Sequence, residues 1–147
     1  MINNLLSALG AFFCITALAY ISFFDKTNLW LIPPFGATMV LVMAVYDSPL
    51  ASPKNIFLGH TLSALSGVII YMLLGMSPIS IGIAVALSVW VMATTNNIHP
   101  PAGANPIIAI LGGEGFDFIL MPVALGSIFI VIFAIFYNRL LKRDYYL

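Results

Sequence analysis

"HPPAGA", residues His99 to Ala104, interrupts a chain built almost wholly of membrane-length apolar runs. Two adjacent prolines followed closely by a glycine do not belong inside a continuous spanning helix, because proline lacks the amide that an interior turn needs. A similar interruption stands earlier, "PPFGAT" at Pro33 to Thr38. What these two breaks do decides the fold.

The composition around them sets the solvent. The chain has 147 residues, 62% hydrophobic and 7% charged, where a soluble domain carries roughly a quarter of its residues as charges. So few charges cannot cover a surface in water, and an integral membrane protein is expected. The formal net charge of +0 gives no footing for nucleic acid. Cys14, the single cysteine, has no second thiol or metal-ligand neighbour and reads as a small apolar residue of the first run. That run has no positive n-region and no convincing cleavage site before Asp25, so it is expected to stay as a span.

Working outward from the breaks gives six segments. Leu5 to Phe24 is long enough to cross a hydrocarbon core of about 30 Å. Leu29 to Tyr46 is broken by Pro33-Pro34, and Ile56 to Gly75 and Ile79 to Thr95 are uninterrupted. Asn96 to Gly113 is broken by Pro100-Pro101, and Phe118 to Asn138 is the last span. "DKTN", "DSPLASPKN", "MSP" and "EGFD" read as polar connections, with Ser48 or Ser52 as a helix cap. "RLLKRDYYL" closes the chain as a basic amphipathic end suited to an interface. Alternating strands of about 10 residues are absent, which excludes an outer-membrane barrel. The fold expected is an all-α polytopic membrane protein, residues 1–147 forming one transmembrane domain.

The breaks superimpose at an offset of 67 residues: Pro33, Pro34, Gly36 and Ala37 fall on Pro100, Pro101, Gly103 and Ala104, and Leu58-Gly59 fall on Leu125-Gly126. Residues 4–75 and 78–140 are therefore read as repeats of three helical segments each. If both broken segments cross, there are six crossings and the halves are inverted, a recurrent transporter design. The alternative is four spans with two re-entrant segments. Six crossings put Lys54 and the Arg139, Lys142, Arg143 cluster on one side and Lys26 on the other, as the positive-inside rule prefers. Both arrangements put the two termini in the cytoplasm.

Proline suits the first turn of a helix, and the residue before it is pushed out of the α region. Each pair should thus mark an extended lead-in and a new helix N-terminus, with unpaired N–H groups and the positive end of the dipole. Such groups must face protein, water or a bound group, and the ligand they favour is an anion. Gly36-Ala37 and Gly103-Ala104 leave the backbone open to a small one. The competing reading is close packing of small-residue faces.

The nearby polar residues are few. His99, at the second break, suits donation to an anion or titration during transport, or a structural cap. His60 lies within a span beside the small face Gly59, Ser63, Ser66, Gly67, where a polar group turns to the protein interior. Thr38 and Asn105 occupy matching repeat positions just inside the new helices. Thr94, Thr95, Asn96 and Asn97 form a polar mouth, with Asn96 or Asn97 also able to end the preceding helix. The candidate binding residues are therefore His99, Pro101, Gly103, Ala104 and Asn105 with Pro34, Gly36, Ala37, Thr38 and His60. Paired carboxylates, metal-ligand clusters and a phosphate loop are absent from the sequence, so neither enzyme nor cofactor nor metal is expected. A cation path is disfavoured by the lack of acidic residues inside the spans.

"HPPAGA" resembles the signature of the HPP family of small integral membrane proteins, and "PPFGAT", "SPLASPKN" (Ser48 to Asn55) and "GHTLSALSG" (Gly59 to Gly67) extend the resemblance over nearly the whole chain. The resemblance implies membrane transport of a small anion, nitrite the leading candidate, since plant chloroplast and cyanobacterial relatives are regarded as nitrite transporters. It carries over to His99, Pro100, Pro101, Gly103 and Ala104, and to the matching Pro33, Pro34, Gly36 and Ala37. Asn105-Pro106 departs from the threonine expected after the second Gly-Ala. A structural or regulatory membrane subunit is the competing function. The chain is small for a central path, so a homo-oligomer, a dimer by preference, is expected in a bacterial plasma membrane.

Overall fold

A computed structural model describes residues 2–25 and 29–146. Its order is α1 (Ile2–Phe24), α2 (Pro33–Ala44), a 3-10 turn (Pro49–Ala51), α3 (Pro53–Leu74), α4 (Pro78–Thr94), a second 3-10 turn (Pro100–Ala104), α5 (Asn105–Gly112) and α6 (Phe116–Leu140). The described residues contain no strand. The chain is an all-helical membrane protein. Lys26, and most of the "DKTN" connection, lie outside the described residues.

Proline opens α2, α3 and α4, at the position where its missing amide costs nothing. Ser52 caps α3 by accepting from Asn55 N at 3.3 Å, and Ser48 does the same for the first 3-10 turn. Ser77 and Ser80 close a reciprocal cap on α4. Three helix ends use one device: Asn96, Gly113 and Lys142 take positive φ of 55°, 65° and 56°. The following amides, Asn97, Glu114 and Arg143, reach back to the carbonyls of Met92, Ala109 and Asn138 at 2.9 Å. Asn96 therefore does end α4, as its sequence allowed.

Three helices, α1, α3 and α6, are long and apolar enough to cross a membrane on length alone. At 1.5 Å per residue α2 rises only about 18 Å and α5 about 12 Å. Half of the α3 span is buried, against 17% of α1 and 39% of α6, so α3 is the central post. Phe35, Met39, Val42 and Met43 of α2 pack with Ala64 and Val68 of α3 and Val123, Ile130 and Ala134 of α6. Outward faces carry large apolar side chains such as Phe12, Phe23, Trp90 and Phe136, as lipid requires.

Two sequence expectations change. The last span is not continuous: a π-helical stretch, Ile119–Ala124, holds Pro122, and Met121 is non-helical at φ −134°, ψ 120°. Pro122 supplies no amide to the ladder, so the helix is interrupted there. The basic end also folds back in part. Arg143 donates to Met43 O at 3.0 Å, Asn3 O at 3.2 Å and Ser7 Oγ at 3.1 Å, and stacks over Tyr46. It caps the carbonyl end of α2 and ties it to α1, while Arg139 and Lys142 stay exposed. Tyr145 is buried and donates to Ala51 O at 2.9 Å, and burial pushes its phenol above the usual range.

Candidate functional site

The first break behaves as its sequence predicts. Ile32 is extended at φ −122°, ψ 150°, and α2 begins at Pro33. The second departs from it. His99 is extended, but Pro100–Ala104 winds as a 3-10 turn and α5 begins only at Asn105. The reason is Pro106. It has no N–H to give to Ala102 O, its α-helical partner, so that carbonyl accepts instead from Asn105 N and from Ser63 Oγ at 2.7 Å.

The amides that follow each proline pair are paired. Phe35 N donates to Ile32 O and Ala102 N to His99 O, both at 3.0 Å. The polar chemistry here therefore belongs to side chains. Thr38, His60, His99 and Asn105 are all fully buried, and they meet. Thr38 Oγ1 lies 2.9 Å from His60 Nε2 and 2.9 Å from His99 Nε2. On the far side of His60, Asn105 Nδ2 lies 3.0 Å from Nδ1, from His60 O and from Ser63 Oγ. Thr38 and Asn105, 67 residues apart in sequence, thus flank one imidazole at its two nitrogens.

The partners fix the protons. Leu50 O, 2.8 Å from His99 Nδ1, can only accept, so Nδ1 carries hydrogen and neutral His99 offers a lone pair at Nε2. His60 O likewise can only accept, which orients the Asn105 amide with its nitrogen toward His60. His60 Nδ1 faces that NH2 group and so carries no hydrogen, and His60 Nε2–H donates to Thr38. The chain runs Asn105 to His60 to Thr38 to His99 to Leu50. The Phe35 ring meets His60 edge-on at 5.3 Å between centroids, and the two imidazoles are 4.9 Å apart. Asn105 Oδ1 is buried without a hydrogen-bond partner among the described residues.

Of the residues singled out by sequence, Thr38, His60, His99 and Asn105 converge, and Pro34 joins through its carbonyl, 3.1 Å from Thr38 Oγ1. Pro101 and Ala104 are half-buried in the 3-10 turn. Gly36 and Ala37 are exposed on the outer face of α2, and Gly103 is half-buried; a Cβ on either glycine would meet nothing within 4 Å. The glycines of the spans are different. A Cβ on Gly59 would come within 2.7 Å of His99 Cβ, one on Gly67 within 2.6 Å of Pro106 Cα, and one on Gly126 would strike Phe35. Small residues there do serve close packing. Sequence reasoning missed Ser63 and Leu50 as partners. Ser63 was legible as the residue one turn after His60; nothing in a sequence says which loop carbonyl a histidine will find. Metal ligands do not gather: the described residues hold no group of three His, Cys, Asp or Glu fit for an ion.

The family model described as HPP, transmembrane region, matches residues 1–146. One transmembrane protein of Dictyostelium discoideum is 36% identical over 124 residues, covering 79% of this chain and 44% of that protein. Another from the same organism is 34% identical over 151 residues, covering 95% and 49%. The chain thus spans less than half the length of the curated relatives it matches. No solved structure matches it.

Proposed function

The chain belongs to the HPP transmembrane family, and from that premise we propose that it moves a small monovalent inorganic anion, nitrite first, across the membrane. One observation carries this reading. Two Pro-Pro breaks 67 residues apart in sequence converge on a buried centre of neutral hydrogen-bonding groups, Thr38, His60, His99, Asn105 and Ser63. A polar centre inside an apolar bundle is costly and marks a path or site by default. It has no carboxylate, which disfavours a cation. Its hydroxyl, imidazole and amide donors, paired within the protein, are the groups that an anion would take over. The protein acts as a carrier or channel, not as an enzyme, and needs no cofactor.

The arrangement that goes with this reading is an inverted pair of three-segment halves with six crossings, both termini cytoplasmic, working as a homodimer in a plasma membrane. A reciprocity supports it: Gly59 of the first half packs on His99 of the second break, and Gly126 of the second half packs on Phe35 of the first. A second reading, a structural or regulatory subunit with no substrate, is favoured by the internal pairing of Phe35 N and Ala102 N.

Purified protein in sealed vesicles separates the two. Nitrite influx well above protein-free vesicles, lost in His60→Phe and reduced in Gly103→Leu with folding intact, is expected. Vesicles that pass neither nitrite, nitrate, formate nor chloride overturn the transport reading in favour of the second.

A further inference from the structure

The chain of buried groups has one moving part, the Thr38 hydroxyl. Its oxygen is 2.9 Å from both Nε2 atoms and 3.1 Å from Pro34 O. With both imidazoles neutral, His60 Nε2–H donates to Thr38, and the Thr38 hydrogen has two acceptors, His99 Nε2 and Pro34 O. We infer that the His60–Thr38–His99 chain is a binding site for a single proton, which crosses together with the anion. The proton site itself stands on this geometry alone; its role as a co-transported ion rests on the transport reading.

The step balances without any further reactant. Hydronium gives a proton to His99 Nε2, an N–H bond forms, and water departs. Thr38 keeps its own hydrogen and turns it to Pro34 O, so that both oxygen lone pairs accept, one from each Nε2–H. Leu50 O still accepts from Nδ1. No hydrogen bond among these side chains is lost. A second proton has no such place. It would have to displace Asn105 from His60 Nδ1 and set two imidazolium rings 4.9 Å apart in a buried centre. The positive charge of the singly protonated pair is the counter-charge that a monovalent anion needs to enter apolar surroundings.

The neighbours leave this titration to the pair. α2, α4 and α5 carry no charged residue, α3 carries only Lys54, exposed in its first turn, and α6 carries Asp117 and Arg139 at its exposed ends. The tyrosines on these elements are engaged elsewhere: Tyr137 donates to Leu6 O, and Tyr71 lies against Gly113. Tyr145, at the C-terminal end of the chain, donates to Ala51 O of the 3-10 turn that holds Leu50.

The test is nitrogen NMR of the full chain in lipid nanodiscs with labelled histidine. At the alkaline end His60 should carry its hydrogen on Nε2 and His99 on Nδ1. On acidification the pair should take up one proton. Thr38→Ser, which keeps the rotating hydroxyl, should match the wild-type proton affinity within about threefold, and Thr38→Val should lose about tenfold or more. Uptake of two protons or of none, one tautomer shared by both histidines, or a Thr38→Val titration equal to wild type overturns the inference. Should Thr38→Val not fold, the wild-type tautomers and stoichiometry decide. Vesicles with an internal pH dye separate this inference from the transport reading. Nitrite entering without a proton removes the coupling and leaves transport; a one-proton titration without anion flux removes transport and leaves the proton site.

Discussion

The two breaks share Pro-Pro-x-Gly-Ala, yet fold differently. After Pro33-Pro34 the chain enters an α-helix at once, and after Pro100-Pro101 it makes a five-residue 3-10 turn before α5. The difference lies in the residue that follows Thr38 in one break and Asn105 in the other. Met39 carries an amide and continues the α2 ladder, whereas Pro106 has none and frees Ala102 O, which Ser63 then takes from α3. Thr38 is consequently a mid-helix side chain that leans on Pro34 O, and Asn105 is the first residue of its helix. They reach opposite nitrogens of His60 because their helices present them from opposite sides. One motif thus gives two local structures and one shared destination.

The largest effect that bears on this comparison is expected at the imidazole both breaks hold. His60→Phe removes two hydrogen bonds, one each from Thr38 and Asn105, at about 1 kcal/mol apiece. It also forces a larger ring into a packed site, at a further cost of about 1–3 kcal/mol. Reversible unfolding in mixed micelles should therefore show a loss of about 2–5 kcal/mol; a loss under 1 kcal/mol on that scale would mean that the breaks do not depend on His60. Next come the glycines. Gly59→Ala should cost about 1–3 kcal/mol by overpacking against His99. Gly36→Ala and Gly103→Ala should stay within about 0.5 kcal/mol, because their Cβ positions are open. Equal costs at all three sites would erase the distinction between packing glycines and open ones.

A smaller effect tests the proposed role of Pro106. Ser63→Ala should cost about 1 kcal/mol in the wild type and clearly less in a Pro106→Ala background, where a restored amide can serve Ala102 O. A double-mutant cycle reads this directly, and additivity would show that Pro106 is not what frees the carbonyl. The smallest effect lies away from the breaks. Tyr145→Phe removes one hydrogen bond, to Ala51 O, and should lower stability by about 1 kcal/mol or less. Because burial favours the neutral phenol in the folded chain, that bond's contribution is intact below the ordinary tyrosine range and fades as pH climbs through and above it. A pH scan of wild type against Tyr145→Phe should show the two converging at the alkaline end.

Much of this was open to reading in sequence, for local reasons. Proline in the first turn and serine at the cap work through neighbouring backbone, so Pro33, Pro53, Pro78, Ser48 and Ser52 announce their helices. Apolar length announces α1, α3 and α6, because a bilayer demands it. The 67-residue echo brought Thr38 and Asn105 forward as a pair, and the small face on α3 brought His60 forward. The interruption of the last span at Pro122 was legible in principle, since an interior proline always costs a ladder bond, but the surrounding hydropathy masked it.

The sequence alone therefore determined the solvent, the helical class, the positions of both Pro-Pro breaks and the residue types near them, since each follows from a proline, a glycine or an apolar run acting on its own neighbourhood. Only the tertiary structure decided that Thr38 and Asn105 grip the same imidazole, and that Leu50 O fixes the tautomer of His99. Those are contacts between segments 22 to 61 residues apart. The choice among many available partners at such distances is made by how helices pack, and no local rule contains it.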